Sequence, residues 1–314
     1  MDQVCFGIDI GGTAVKVGLF TVEGKLINKW EFATRRTENG KDIIIDSAEF
    51  IKNKMKEYQL DRNQVVGVGV GIPGPVKENG EVQEIVNIGL GHFNIEEEMT
   101  MLTGLKTKAG NDANVAALGE QWQGSGKDYE NVVLVTLGTG VGGGIIYNGT
   151  IIAGTKGAAG EIGHIFVNKD ETEACGCKKH GCLEQYASAT GIVRLAKRLL
   201  KASEEPSQLR NIDEFSAKTV FDCAKAGDEL SMKAVDQACY YLGVALAHVA
   251  QVIDPEAFII GGGVSKAGEI LIEKTEKYYN EFVMQSLKNK VFKLAILGND
   301  AGIYGSARMI LASK

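Results

Sequence analysis

Three cysteines and one of the two histidines within residues 160–184 are spaced as a candidate metal site. The cysteines, Cys175, Cys177 and Cys182, read C-x-C-x4-C, and His164 lies eleven residues before the first. Three thiolates and one imidazole can close a tetrahedral zinc site, and a closed site of this type is structural. A disulfide is disfavoured because Cys175 and Cys177 are too close along the chain for relaxed bridge geometry. The spacing therefore predicts a zinc-bound loop.

Two glycine-rich turns each follow an apolar, strand-like run. The first is Asp9-Ile-Gly-Gly-Thr13 and the second is Gly138-Thr-Gly-Val-Gly-Gly143. Glycine lets backbone N–H groups approach a phosphate closely, although either turn alone could simply tighten a hairpin. The second turn contains G-x-G-x-x-G, but a strand follows it where a dinucleotide fold requires a helix. Because the chain also lacks a P-loop sequence, both classical nucleotide motifs are excluded.

A G-N-D-A sequence occurs twice, and each copy carries a candidate catalytic carboxylate. Asp112 follows Gly110 and Asn111, and Asp300 follows Gly298 and Asn299. A carboxylate can accept a proton from a reacting hydroxyl as a general base. Asparagine and aspartate are also favoured helix caps, and the recurrence of the sequence supports that interpretation. The residues favour Asp112 over Asp300 as the base and leave a cap at Asp112 possible as well.

The predicted elements repeat along the chain, as expected of two related halves. Apolar runs and turn signals predict strands at 4–10, 14–20, 25–32, 65–72 and 105–109, then at 131–137, 144–147, 150–152, 257–260 and 291–297. Helical spacing predicts helices at 46–58, 116–122, 192–201, 219–226, 230–252 and 267–285, with another at the end of the chain. Both halves begin with strands around a glycine turn and continue with helices and further strands.

Length and composition indicate a globular protein of two domains. The chain has 314 residues, of which 44% are hydrophobic and 24% charged, and its 40 glycines accompany only 4 prolines. A net charge of -6 without a basic patch argues against a nucleic-acid partner. The chain opens directly into a strand-like run, which argues against a signal peptide. The longest apolar helical stretch, 240–253, is too short to span a membrane, so we expect a soluble cytoplasmic protein.

Together these motifs resemble the ROK family of bacterial sugar kinases, within the actin/hexokinase/Hsp70 ATPase superfamily. The resemblance runs from about Val4 to Ala307 and rests on DIGGT at 9–13, GIPGPV at 71–76, GNDANVAALGE at 110–120, LGTGVGGG at 137–144, GEIGH at 160–164, IIGGGV at 259–264 and the cysteine loop. In the family a glycine follows the second cysteine, whereas this chain has Lys178. That departure removes no metal ligand.

The resemblance implies an α/β fold of two actin-like ATPase (ribonuclease H-like) domains, with mixed sheets flanked by helices. ATP and sugar would bind in the interdomain cleft. The expected small domain covers residues 1–115 and includes the C-terminal helix, at about 300–314. The expected large domain covers residues 116–299 and carries the zinc loop at 164–182. A homodimer or homotetramer is also implied.

The family activity is transfer of the γ-phosphoryl group of ATP to a sugar, and the members most similar to this chain phosphorylate the 6-hydroxyl of glucose. The resemblance assigns Asp112 as general base. It assigns sugar binding to a set in which His164 also holds zinc: Asn111, Asp112, Glu161, His164 and Glu184. For Glu161 and Glu184 alone, the alternative is an ordinary solvated loop charge.

The resemblance also implies a nucleotide site with Mg²⁺, which Asp9 would help to hold through water. The residues assigned to the nucleotide are Asp9, Gly11, Gly12, Thr13, Lys16, Gly138, Thr139, Gly140, Gly262 and Gly263. The last two would lie near the adenosine, and Lys16 could equally be a strand-surface lysine.

Two other functions stay open within the family. The first is the same chemistry on mannose, fructose, N-acetylmannosamine or a related sugar, because discrimination depends on hydroxyl geometry around Glu161 and Glu184. The second is a sugar-responsive transcriptional regulator. That class carries a helix-turn-helix region ahead of the sugar-binding fold and tends to lose the phosphate turns, which are intact here, so the resemblance disfavours it.

Overall fold

The structure is a computed structural model, and it describes residues 3–35, 41–82 and 91–313. The described chain forms two units. The first combines the residues up to Glu130 with Gly144–Gly160 and the chain from Leu297 onward. The second combines Asn131–Gly143 with Glu161–Ile296.

Strands and helices alternate along the described chain. The strands are β1 (Val4–Ile10), β2 (Ala14–Thr21), β3 (Leu26–Ala33), β4 (Val65–Ile72), β5 (Glu81–Val82), β6 (Phe93–Asn94), β7 (Thr107–Asn111), β8 (Val132–Leu137), β9 (Val141–Tyr147), β10 (Thr150–Ile151), β11 (Ala257–Gly261) and β12 (Val291–Leu294). The α-helices are α1 (Lys41–Glu57), α2 (Ile95–Thr103), α3 (Asp112–Gln123), α4 (Glu184–Ala187), α5 (Ala189–Ala202), α6 (Ala217–Lys225), α7 (Glu229–Ile253), α8 (Glu269–Phe282) and α9 (Ala301–Ala312). Within the described ranges, every helix is too short or too polar to cross a lipid bilayer.

The main sheet of the first unit is mixed, with the strand order β3-β2-β1-β4-β7. Strands β1, β2 and β3 are antiparallel, whereas β4 and β7 run parallel to β1. Helix α9 covers one face, where Gly7 and Gly69 allow its backbone to approach: a β carbon on Gly69 would lie 1.8 Å from Ser306 O. The Ser306 hydroxyl donates to Ile8 O at 2.7 Å, which fixes α9 beside the carboxyl end of β1.

Helices α3 and α9 cross closely within the first unit because glycines face each other's backbone. A β carbon on Gly119 would lie 2.2 Å from Ala301 O, and one on Gly305 would lie 1.6 Å from Val115 O. These two helices begin at the two G-N-D-A sequences. Both helices, α3 and α9, therefore belong to the first unit.

The second sheet has the order β10-β9-β8-β11-β12, which matches the first sheet position for position. In the second unit, β11 runs parallel to β8 and β12, with Gly261 opposite Thr136. Strand β9 begins in the second unit and ends in the first. The shared strand order is the structural counterpart of the repeated pattern in the sequence, and the predicted α/β class with mixed sheets flanked by helices is confirmed.

Several element boundaries differ from the predicted ones. Helix α1 begins at Lys41 and not at residue 46, and α3 begins at Asp112 and not at residue 116. Strand β7 covers Thr107–Asn111 and not residues 105–109, because α2 extends to Thr103 and Gly104 follows it in the left-handed conformation. The earlier start of α3 matters for function, since it places Asp112 in the first turn of a helix.

Candidate active site and metal centre

The predicted metal ligands converge in the second unit. One ligand atom from each of His164, Cys175, Cys177 and Cys182 can be chosen so that all four lie within 4.8 Å of one another. Cys175 Sγ is 3.7 Å from His164 Nδ1, and Cys177 Sγ is 3.6 Å from Cys182 Sγ. A tetrahedron with Zn–S bonds of about 2.3 Å has edges of roughly 3.8 Å. The four side chains therefore fit a zinc ion, and all the cysteines are free thiols and not disulfides.

The cysteine loop is a tight turn held by two backbone hydrogen bonds. Lys178 N–H donates to Cys175 O at 2.8 Å, and Cys175 N–H donates to Lys179 O at 2.7 Å. Lys178, which replaces the family glycine, has φ 67°, in the left-handed region that glycine adopts most easily. Gly181 has φ 74°, and a β carbon there would strike Asn168 O at 1.9 Å. The loop thus keeps a glycine-like backbone at Lys178 despite the side chain.

The charge balance of the cluster also favours a cation. Burial raises the pKa of the Cys175 thiol, and burial together with its sulfur neighbours raises the pKa of Cys182 to about 12. The backbone N–H of Lys179 lowers the pKa of Cys177. Adjacent thiolates repel one another, so deprotonation of the whole set requires a positive charge at its centre. A bound divalent metal supplies that charge.

A buried ion-pair network supports the loop, and no sequence motif indicated it. Glu171, whose side chain is 1% exposed, accepts from both Arg198 (2.9 and 2.8 Å) and the Tyr186 hydroxyl (2.7 Å). These donors, with Arg198 as the largest influence, hold the pKa of Glu171 far below its usual range. Gln185 links the network to the metal cluster because its Oε1 accepts from Cys182 N–H at 3.1 Å.

Glu184 lies between the metal cluster and the second glycine turn. Its Oε2 accepts from Val141 N–H at 3.0 Å, and Cys175 Sγ lies 3.6 Å from its Oε1. Glu161 is exposed and precedes the short 3-10 helix Ile162–His164. His164 turns Nδ1 toward the cysteines, which leaves Nε2 as its other ring nitrogen. The second unit therefore places Glu161, His164 and Glu184 along the segment that carries the four candidate metal ligands.

The second glycine turn and the Gly262–Gly263 turn lie side by side at the carboxyl ends of β8 and β11. Gly138 N–H donates to Gly140 O at 3.0 Å within the first of these turns. Gly262 has φ 82°, and a β carbon there would lie 2.5 Å from Leu137 O. Only glycine fits between the two turns at that point.

A cavity of about 220 Å³ adjoins Gly263 in the second unit. Its wall is largely apolar, with a few polar side chains, and the lining residues include Ala189, Ser216, Phe221, Gly263, Val264 and Lys266. Sequence reasoning identified only Gly263 of this set. The others come from α5, α6 and the segment after β11, so their convergence depends on the tertiary fold.

In the first unit, the carboxyl group of Asp9 has a raised pKa. Burial raises its pKa to about 6, and the nearby Asp112 adds to the rise while Lys16 opposes it. Lys16 Nζ also donates to Asn299 O at 2.9 Å. The influence of Asp112 on Asp9 shows that the first unit brings these two acidic side chains near each other.

The first glycine turn is a hairpin held from β3. Gly11 N–H donates to Ala14 O at 2.9 Å, the Thr34 hydroxyl donates to Gly11 O at 2.7 Å, and Thr34 N–H donates to Thr13 O at 2.9 Å. Gly12 lies between these anchored positions. With its carbonyls anchored by neighbouring donors, the hairpin has a defined backbone for a ligand to meet.

Asn111 caps α3, as the helix-cap interpretation expected. Its Oδ1 accepts from Ala113 N–H and Asn114 N–H at 3.0 and 3.2 Å. Its Nδ2 donates to Gly74 O and to Asp112 Oδ1, both at 3.1 Å. These bonds fix the orientation of the Asp112 carboxylate in the first turn of α3, where the helix dipole favours a negative charge.

Asp300 has a different environment from Asp112, although both occur in G-N-D-A. Its Oδ2 is 2.5 Å from Lys29 Nζ, and its side chain does not cap α9. The repeated sequence therefore gives two carboxylates with distinct roles: Asp300 forms an ion pair, and Asp112 is oriented by Asn111.

Comparison with known proteins places these features in a family context. The model of the ROK family matches residues 5–313. A glucokinase from Halalkalibacterium halodurans is 38% identical, over 98% of this chain and 95% of its own length. The match thus spans both units and both glycine turns.

Two solved structures have the same fold. A ROK family glucokinase from Streptomyces griseus, in complex with glucose and AMPPNP, has a TM-score of 0.74 and 32% identity over 98% of each chain. A ROK family transcriptional regulator, a homolog of the E. coli MLC protein, has a TM-score of 0.86 and 27% identity, over 99% of this chain and 78% of its own. These likenesses confirm the predicted actin-like ATPase fold.

Proposed function

Because the chain belongs to the ROK family, we propose that it is an ATP-dependent glucokinase, which transfers the γ-phosphoryl group of ATP to the 6-hydroxyl of glucose. The observation that carries this proposal is the environment of Asp112. This carboxylate is oriented by Asn111 at the start of α3, whereas its sequence counterpart Asp300 is paired with Lys29. An oriented carboxylate, in a chain that keeps both glycine turns, suits phosphoryl transfer to a hydroxyl.

Asp112 acts as the general base in this proposal. Phosphoryl transfer depends on positioning and charge stabilisation, and the attacking hydroxyl loses its proton late. A positioned carboxylate accepts that proton once the oxygen is bonding to phosphorus. The bonds from Asn111 Nδ2 and Ala113 N–H hold the Asp112 carboxylate in a fixed orientation at the start of α3.

Glucose binding falls to Asn111, Asp112, Glu161, His164 and Glu184. Paired hydroxyls of a sugar are recognised by side chains that accept or donate in fixed directions, and unpaired polar groups penalise the wrong sugar. His164 has Nδ1 on the metal cluster, so its Nε2 is the nitrogen for a sugar hydroxyl. Zinc, when bound to the cysteines, would fix the histidine ring and with it this hydrogen bond.

The glycine turns bind the nucleotide phosphates in this proposal. Gly11, Gly12 and Thr13 serve from the first unit, and Gly138, Thr139 and Gly140 from the second. Gly262 and Gly263 lie at the adenosine, and the adjoining cavity of about 220 Å³ takes the adenine ring against Phe221. Lys16 stays a predicted phosphate contact, with its present partner Asn299 O as the alternative.

Asp9 is the residue that would hold Mg²⁺ through water. Mg²⁺ keeps part of its hydration shell, and when bound with ATP it neutralises phosphate charge. The raised pKa of Asp9 fits an acidic group that gains stability when a cation arrives. We infer a homodimer or homotetramer for the working enzyme, in line with the family.

A coupled assay of ADP release across a sugar panel tests the function. The panel contains glucose, mannose, fructose, N-acetylglucosamine and N-acetylmannosamine, each with ATP and Mg²⁺. We expect the highest kcat/KM with glucose and a product phosphorylated at the 6-hydroxyl. A kcat/KM ten times higher with another sugar would show that this sugar, and not glucose, is the substrate. Absence of ADP release with every sugar would contradict the kinase assignment.

A further inference from the structure

The glycine turn after β8 is held on one side by the junction between α4 and α5. This junction covers residues 184–190 and supplies three contacts to the turn. Ala189 N–H donates to Gly138 O at 2.8 Å, the Thr190 hydroxyl donates to Thr139 O at 2.8 Å, and Glu184 Oε2 accepts from Val141 N–H at 3.0 Å. Each successive peptide of the turn thus has one anchor in the junction.

These anchors determine where the remaining N–H groups of the turn point. A trans peptide is planar, and its C=O and N–H point in opposite directions. The carbonyl of Thr139 and the N–H of Gly140 belong to the same peptide, so the Thr190 hydroxyl aims the Gly140 N–H away from the junction. The Ala189 N–H aims the Thr139 N–H in the same way through the Gly138 carbonyl. Two N–H donors of the turn therefore point away from the junction, and paired backbone donors of this kind can bind a phosphate.

The turn packs closely against the junction. A β carbon on Gly140 would lie 2.1 Å from Glu184 Oε2. Ser188, which caps α5 by accepting from Gly191 N–H at 3.0 Å, also donates to Glu184 O at 2.7 Å and so ties α4 to α5. Hydrogen bonds thus connect α4, α5 and the turn.

Among these anchors, Thr190 offers a side-chain contact that lies outside the metal ligands, although its hydroxyl also lies 3.0 Å from Ser188 Oγ. Its side chain is exposed at the second residue of α5, so a substitution there opens no core cavity. The Ala189 contact is a backbone bond, and Glu184 also faces Cys175 of the metal cluster. Thr190 is therefore the position at which turn geometry can be separated from metal and sugar binding.

We propose that Thr190 is a positioning residue for the phosphates of ATP, and that it acts by fixing the Thr139–Gly140 peptide. The inference rests on the proposed function in one respect, namely that this turn binds the nucleotide. It assigns to the α4–α5 junction a role in nucleotide affinity in addition to the sugar-binding role proposed for Glu184.

Thr190→Val and Thr190→Ser test the inference, because valine keeps the shape of threonine and serine keeps the hydroxyl. Loss of one hydrogen bond predicts a rise of about three- to tenfold in the Kd for AMPPNP, measured by calorimetry in Thr190→Val. Glucose Kd and zinc content should stay at wild-type values, and Thr190→Ser should bind AMPPNP like the wild type. In the protein without nucleotide, hydrogen exchange of the peptide that spans 138–143 should quicken in Thr190→Val only.

The outcomes separate this inference from the function on which it rests. Wild-type exchange and AMPPNP affinity in Thr190→Val would overturn it, as would parallel losses of glucose and zinc binding or failure of Thr190→Ser to restore affinity. If the wild-type protein does not bind AMPPNP, the proposed function fails and the nucleotide role of Thr190 fails with it. The exchange comparison would then still show whether Thr190 orders the turn.

Discussion

Gly302 lies directly against the carboxyl group of Asp9, since a β carbon at position 302 would come within 2.5 Å of Asp9 Cγ and 2.6 Å of its Oδ2. Gly302 is the second residue of α9, whose N-terminal end carries partial positive charge. The glycine lets the carboxylate reach this end of the helix. The position of Asp9, the proposed Mg²⁺ residue, therefore depends on a glycine at position 302 of α9.

Gly302→Ala should impair use of Mg·ATP. The new methyl group would push the Asp9 carboxyl aside, and a displacement of about 1 Å can reduce kcat/KM by about a hundredfold. Steady-state kinetics with varied Mg·ATP would measure the effect, with glucose KM as an internal reference. Gly91→Ala is the matched control, because a β carbon at Gly91 has nothing within 4 Å. Normal Mg·ATP kinetics in Gly302→Ala would show that Asp9 does not need this position.

Asp9→Asn should stabilise the protein without nucleotide at pH 7.5 and not near pH 4. The pKa of Asp9 is raised by burial to about 6 in the folded protein, against about 3.9 in an unfolded chain. Between these values the folded state binds more protons, so the free energy of unfolding falls as pH rises from about 4 to 6. The ionised carboxylate then costs roughly 1–3 kcal/mol, which the amide avoids.

Urea unfolding at several pH values checks this prediction. The exposed Asp170→Asn serves as control and should show no such pH-dependent gain. A gain for Asp9→Asn of equal size at pH 4 and pH 7.5 would mean that ionisation is not its cause.

Asp112→Asn should reduce kcat strongly while glucose still binds. Removal of a general base typically costs about 10²- to 10⁴-fold in rate. The amide keeps the size of the side chain, so the first turn of α3 should persist. Asp300→Asn is the matched control in the other G-N-D-A sequence, and its pair with Lys29 is partly exposed and worth at most about 1 kcal/mol. Single-turnover kinetics and glucose titrations of both variants decide the point. An active Asp112→Asn beside an inactive Asp300→Asn would reverse the assignment.

Motifs with local chemistry could be predicted from the sequence, because their residues lie within a short stretch. The cluster of His164 and the three cysteines is one case, and the helix cap at Asn111 is another. The repeated succession of elements also followed from hydrophobic runs and glycine turns, and the shared strand order of the two sheets is its structural counterpart. In these cases the structure depends mainly on residues that are close together in the sequence.

Features that depend on tertiary packing were not predictable. Glu171 has no sequence signal that separates it from other loop glutamates, and its role comes from Arg198 of α5, 27 residues away. The bond from Val141 N–H to Glu184 likewise joins residues 43 apart. The environment of Asp300 depends on Lys29, which lies 271 residues earlier. Such contacts require knowledge of which elements meet, and periodicity alone does not give that.

Cys177→Ser should lower metal content and weaken glucose binding. The wild-type protein should contain about one zinc per chain, and a serine hydroxyl is a poor replacement for a thiolate ligand. Cys177 is exposed, so the change leaves no core cavity. Metal analysis after dialysis and glucose titration measure both effects. Cys223→Ala, which removes a thiol outside the cluster, should keep zinc and glucose affinity. Metal-free wild-type protein with normal glucose affinity would contradict the proposed role.

Lys178→Gly should stabilise the zinc-loaded protein by about 0.5–1 kcal/mol. Lys178 has φ 67°, and a residue with a β carbon is strained in this left-handed region by about 1 kcal/mol or more. The greater freedom of glycine in the unfolded chain offsets part of this gain. Because Lys178 is exposed and outside the ligand set, zinc content should not change.

Thermal and urea unfolding of the zinc-loaded protein measure the Lys178→Gly effect. Lys179→Gly is the matched control: it is exposed, has no positive φ, and should lose stability through added backbone freedom. A higher free energy of unfolding in Lys178→Gly and a lower one in Lys179→Gly would show that backbone geometry, and not the metal, favours the family glycine. A Lys178→Gly protein that is no more stable than Lys179→Gly would mean that the lysine is not strained at this turn.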